Sequence, residues 1–82
     1  MKVGDEVYAV IKNDAWVRHG HITNIDMEYH SGREELVKTF TVEYDDFPSY
    51  KLIINYDFFY EDSLFTDKAQ AVAYAHYLRR NV

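Results

Sequence analysis

"WVRHGHITNI" spans residues 16–25 and sets a problem that any strand through it must solve. Successive side chains on a strand point to opposite faces. In that period Val17, His19, His21, Thr23, Ile25 and Met27 share one face, while Trp16, Arg18, Gly20, Ile22 and Asn24 take the other. Ile22 and Ile25 therefore claim opposite sides as the interior. An extra residue in one strand of a pair shifts this phase, and glycine is the usual residue at such a bend. The expectation is a bent strand with a bulge at Gly20, which lets Ile22 and Ile25 both face the core. The histidines beside that glycine are then scaffold. As zinc ligands His19 and His21 would need His30 or a carboxylate as a further partner, and no compact signature such as H-E-x-x-H is present. No metal is assigned.

The neighbouring segments read as further strands. In "EVYAVIK" (6–12), Val7, Ala9 and Ile11 alternate with Tyr8 and Val10, so this strand is apolar on both faces. "NDA" (13–15) is turn chemistry, because Asn and Asp bond their own backbone and tolerate left-handed dihedrals. "VKTFTVEYDD" (37–46) alternates Phe40, Val42 and Tyr44 with Thr39, Thr41 and Glu43. A turn follows around Pro48. "YKLIINYDFFY" (50–60) then puts Tyr50, Leu52, Ile54 and Tyr56 on one face, with its "DFFYED" end expected to leave the sheet. The last segment changes period. Ala69, Val72, Ala73 and Tyr77 make one stripe and Ala71, Tyr74, Ala75 and Leu78 an adjoining one, which predicts a helix from Asp67 to about Arg80 with Thr66 as its N-cap. Asp67 at its start and Arg79 and Arg80 at its end suit the helix dipole. The alanines call for close packing, with Leu64 and Phe65 delivering the helix to the sheet.

Composition bounds the rest. At 82 residues the chain makes one domain, 3–65 as barrel and 66–80 as helix, and a chain this short has a small core that large side chains must carry. Aromatics are 17% of residues, and eight of them are tyrosines that can bury a ring while wetting a hydroxyl. The absence of cysteine excludes disulfides and thiolate metal sites. No secretory signal or membrane-length apolar run occurs, so a cytoplasmic protein is expected. A net charge of −5 argues against general affinity for phosphate backbones, which basic side chains drive by releasing counterions.

Three phrases in order, "VGDEVYAV", "GHITNI" and "FTVEYDD", resemble the first three strands of KOW, Tudor and related SH3-like barrels. The tail "YEDSLFTDKAQAVAYA" is similar to the L-F-x-[ST]-x-x-x-A ending of many small phage and bacterial proteins. The resemblance implies a mainly β protein: an SH3-like antiparallel barrel of about five strands with one C-terminal helix packed on it. It departs from that pattern in lacking the A-L-Y-D-Y signature and the glycine-rich turn, so neither proline-peptide binding nor ribosome association follows.

Function is read as noncatalytic protein binding, in the form of a small phage or mobile-element protein acting on a host protein, for example as an anti-defence inhibitor. Trp16, Tyr44, Phe47 and Tyr50 are the expected apolar anchors, and Asp45, Asp46, Glu61 and Asp62 the acidic rim that selects a basic partner. Tudor-like barrels place an aromatic cage in this region, and Tyr8 would join it. The same aromatics have a competing use as core. The alternative is a nucleic-acid-binding barrel using Arg18, His19, His21 and Lys38, with Arg33 across the loop and Trp16 or Tyr29 for stacking. A homodimer through an unpaired strand edge is a further option beside a monomer. The carboxylates of "YDD" and "EDS" do not make an enzyme, since a barrel this small has little room for a pocket between them. No nucleophile arrangement and no glycine-rich phosphate loop is present, and no cofactor is expected.

Overall fold

A computed structural model describes residues 1–13, 15–32, 34–45 and 55–80. Five strands precede one helix: β1 Glu6–Ile11, β2 Trp16–His30, β3 Glu35–Tyr44, β4 Tyr56–Tyr60, a 3₁₀ turn Glu61–Ser63, β5 Leu64–Phe65 and α1 Lys68–Arg80. The strands form one antiparallel sheet in the order β4-β3-β2-β1-β5. The expected Pro48 turn and the 50–54 half of the fourth strand lie outside the described residues. "DFFY" does not leave the sheet, because Asp57 to Tyr60 pair with Val42 to Thr39.

The connection between the two edge strands dictates the sheet's shape. In a flat sheet β4 and β5 would lie about 19 Å apart, four strand spacings of ~4.8 Å. Only the turn Glu61–Ser63 joins them, and it winds at about 2 Å per residue. Even fully extended, the chain from Tyr60 to Leu64 reaches no more than about 14 Å. The sheet must therefore coil until its edges approach. Coiling does not close it: among the described residues β4 and β5 form no ladder, so this is an open, coiled sheet with a seam.

The interior of the coil holds Val7, Ala9, Ile22, Phe40, Val42 and Leu64, with Ile25 and Phe59 packed against them. Both isoleucines of the opening stretch reach it, but not through Gly20. The register runs unbroken past that residue, with Val7 opposite Gly20 on one side and Tyr44 on the other. The shift falls between Ile22 and Asn24, where Val42 and Thr41 are adjacent partners, so Thr23 is the extra residue. A bulge was needed, and an exposed threonine supplies it because a bulged residue is left out of the ladder. Gly20 answers a different need. A Cβ there would lie 2.4 Å from the Glu43 carbonyl oxygen and 2.8 Å from Val42 Cγ1, so the coil brings the β3 backbone where a side chain would stand.

β1 is buried on both faces, as its alternation requires. Its Val7 and Ala9 enter the coil, while Val10 points outward and joins Ala15, Ala71 and Ala75 beneath α1. Alanine at 71 and 75 lets the helix backbone approach β1, and Tyr8, Val17, Phe65, Tyr74 and Leu78 ring the contact. The helix begins one residue later than expected. The Ala69 N–H donates to Asp67 Oδ1 at 2.9 Å, which makes Asp67 rather than Thr66 the cap. A shorter reach from the second helical amide favours the aspartate. In the first hairpin Ala15 takes the left-handed region, φ 54°, and its methyl is buried with Ala71 and Ala75 beneath the helix.

Gly20→Ala is expected to lower stability by about 2–3 kcal/mol, since rigid backbone stands in the way. Gly32→Ala, with nothing within 4 Å of the added Cβ, is expected to stay within about 0.5 kcal/mol of the parent. Urea denaturation of the two variants checks the contrast. Asp67→Ala is expected to cost about 1 kcal/mol in the same assay.

Candidate functional site

Of the anchors expected from the sequence, Trp16 and Tyr44 lie among the described residues, and they are not brought together. Trp16 is 54% exposed at the start of β2, with the Arg18 guanidinium 5.0 Å above its ring. Tyr44 is only 8% exposed, edge-on to Phe59 at 6.4 Å, and belongs to the interior. Its alternation with Phe40 and Val42 made it core from the start, so it is no anchor. Asp46, Phe47 and Tyr50 lie outside the described residues. The acids separate as well. Asp45 follows β3 and sets its Oδ1 2.9 Å from His21 Nδ1. Glu61 and Asp62 sit on the 3₁₀ turn at the other end of the β3–β4 ladder, roughly 20 Å away at ~3.3 Å per residue.

The basic set is likewise divided. Register puts Arg18 opposite Ala9, facing into the coil, whereas His19 opposite Tyr8 and His21 opposite Glu6 face outward. His19 stacks on Tyr8 at 5.0 Å and lies 3.4 Å from Glu6. Lys38 pairs with Met27, far along the β2–β3 arm, roughly 30 Å of strand from Arg18. His19 and His21 thus have carboxylate neighbours, and the four residues do not share one face. Among the described residues no three His, Asp or Glu side chains converge as a metal site, and no helix is long and apolar enough to cross a membrane.

What the fold does build is a row of rings on the outside of β4. Tyr56, Phe58 and Tyr60 pair with Glu43, Thr41 and Thr39 on the outward face and are 45%, 59% and 44% exposed. Among the described residues α1 packs chiefly on β1, β2 and β5, away from the outer side of β4. Tyr56 and Phe58 meet edge to face at 5.8 Å. Tyr60 fixes the far end: its hydroxyl is 3.1 Å from His30 Nε2, and its ring stands edge-on to the imidazole at 5.6 Å. His30 Nε2 lies 3.6 Å from a Glu28 carboxylate oxygen. Phe58 and Tyr60 wall a shallow cleft of about 220 Å³ with Thr39 and Glu28 also lining it. The two-stranded arm beyond adds exposed Met27, Tyr29 and Leu36 on the opposite face.

The signal for this row was present in "YDFFY", where period two separates Tyr56, Phe58 and Tyr60 from Asp57 and Phe59. Ending the strand early hid it. Behind β4, across the seam, a second groove of about 260 Å³ is lined by Val10, Lys12, Asp57, Phe59 and Ser63 among others. Lys12 Nζ donates to Asp62 Oδ2 at 3.0 Å and so ties the end of β1 to the 3₁₀ turn. That hydrogen bond raises the lysine above its ordinary 10.5, against a smaller opposing effect of burial.

Compared with known proteins, the chain matches no family model, and no curated protein or solved structure is significantly similar to it.

A lysine held charged in the folded chain stabilises below its unfolded pKa, and the gain is lost as pH rises through the raised folded value. Asp62→Asn is therefore expected to cost at most about 1 kcal/mol near neutrality, because both side chains are exposed. The gap from the parent should close above about pH 10.5. Thermal denaturation of parent and variant at pH 7 and pH 11 measures it.

Proposed function

We propose that this protein is a noncatalytic protein-binding module that engages its partner through the outer face of β4. The observation that carries this reading is the row Tyr56, Phe58 and Tyr60, three large rings exposed side by side on an edge strand that no other element covers among the described residues. Rings of this kind are enriched where proteins meet, since they offer large apolar area at low entropic cost. If each ring buries roughly 100 Å² more, the three contribute about 7 kcal/mol before the costs of association. Those costs are of comparable size, at about 4–15 kcal/mol, so polar contacts around the rings must supply the rest.

Acids stand in position to do so. Glu43 is opposite Tyr56 on the same outer face, and Glu61 follows Tyr60. A basic partner is selected by this rim, which replaces the earlier grouping around Asp45. The architecture we read as an SH3-like barrel left open along the β4–β5 seam. Histidine and arginine side chains on opposite faces, two of them beside carboxylates, make the nucleic-acid reading the weaker one.

The test compares partner capture from cell lysate by the parent and by Tyr56→Ala/Phe58→Ala. Both positions are exposed, so the double variant is expected to keep the fold, checked by circular dichroism, and to lose the captured partner. Capture unchanged by the double variant would refute the assignment. So would retention of the parent on a DNA column that Arg18→Glu abolishes.

A further inference from the structure

We propose that the edge of β4 that pairs with no described strand takes up an extended basic peptide as an added strand. This deepens the reading of the aromatic face and rests on it. The hydrogen-bond phase of the ladder gives the starting point. Tyr44 N–H donates to the Asn55 carbonyl at 2.7 Å, and the register continues with Glu43 opposite Tyr56 and Val42 opposite Asp57. Narrow and wide pairs alternate in an antiparallel ladder, so Asp57 and Phe59 exchange hydrogen bonds with β3. Tyr56, Phe58 and Tyr60 then turn their N–H and C=O groups toward the open edge. The residues that display rings outward are the same ones that display backbone outward.

Asp57 bears on this edge directly. Its Oδ1 accepts the Phe58 N–H at 2.8 Å, so a carboxylate occupies the central donor of the edge. Such a charge blunts an edge against casual pairing, one of the devices by which proteins keep sheets from aggregating. It also sets a condition on what displaces it. An incoming strand whose carbonyl takes the Phe58 N–H must provide another partner for the carboxylate, and a lysine or arginine does so. Glu61, just beyond Tyr60, adds a further carboxylate at the end of the strand. In an alternating segment these cationic side chains lie on the Asp57 face of the added strand, and the apolar ones lie on the outer face beside the rings of Phe58 and Tyr60.

A second copy of this chain is the poorer occupant. Two β4 strands paired about Phe58 would set the two Asp57 carboxylates near each other, with neither supplying the cation that frees the other. Main-chain hydrogen bonds give affinity in strand addition, and alternate side chains give selectivity. The proposed ligand is thus any extended segment that alternates basic and apolar residues.

The experiment uses three acetylated and amidated hexapeptides: alternating Lys-Val, alternating Glu-Val, and Lys-Val with N-methylated alternate amides. Binding is followed by titration calorimetry, and exchange of the Tyr56, Phe58 and Tyr60 amides by NMR. The Lys-Val peptide is expected to bind roughly tenfold more tightly than Glu-Val at low salt, a gap that several exposed ion pairs suffice to produce. It should slow exchange of the Phe58 and Tyr60 amides, and N-methylation should abolish both effects. Asp57→Asn and Glu61→Gln should each narrow the Lys/Glu difference. Equal binding of the N-methylated peptide, equal binding of Glu-Val, unchanged amide exchange, or protection that appears with rising protein concentration alone would each overturn the proposal. Where the N-methylated peptide binds equally but Phe58→Ala removes binding, strand addition fails and the aromatic face stands. Where Phe58→Ala has no effect on any peptide, both fail.

Discussion

Everything in this molecule answers to the brevity of the chain between β4 and β5. Those strands lie at opposite edges of a five-stranded sheet, yet only Glu61, Asp62 and Ser63 join them. A flat sheet would tear that connection. Coiling follows by necessity, and with it an interior narrow enough to be filled by Val7, Ala9, Ile22, Phe40, Val42 and Leu64. Strong coiling also explains why position 20 has no side chain and why β2 carries an extra residue three positions later. The first removes an obstacle from the concave face, and the second turns Ile25, in the second half of the strand, inward like Ile22.

A single helix of this length covers only part of a sheet's convex side. α1 lies over β1, β2 and β5, where alanines bring it down onto Val10. The outer side of β3 and β4 receives no such cover among the described residues. The rings there are thus exposed by a geometric shortfall. The seam contributes the second half of the site. An edge that does not close leaves the backbone of Tyr56, Phe58 and Tyr60 without a neighbour among the described strands, and Asp57 occupies the middle of it. Fold and candidate function thus share one origin in the incomplete closure of the sheet.

The histidines show how position changes meaning. Three of the four sit on β2, and each finds a carboxylate nearby: Glu6 for His19, Asp45 for His21 and Glu28 for His30. Those partners come from β1, from the end of β3 and from β2 itself, so they converge on three places rather than one. Paired residues across strands are the unit of sheet stabilisation, and the contact of His19 with Glu6 on β1 is of that kind, whereas Glu28 and His30 are neighbours on one face of the same strand.

Alternation in residues 6–12 and 37–44, the phase conflict between Ile22 and Ile25 and the alanine-rich 3.6-residue period of the tail were enough to specify strands, a bulge and a helix, because each is a local rule of backbone geometry. Cap and bulge were misplaced by one and three residues, since Asp67 and Thr23 won on contacts with neighbouring amides and strands that no local rule contains. The candidate site was less legible. Tyr44 and Phe58 are both aromatic residues in alternating strands, and nothing in their immediate surroundings says that the first is buried and the second exposed. That depends on which half of the sheet the helix covers and how far the edges curl together. Burial is a property of the whole surface and is settled only when the last element has packed.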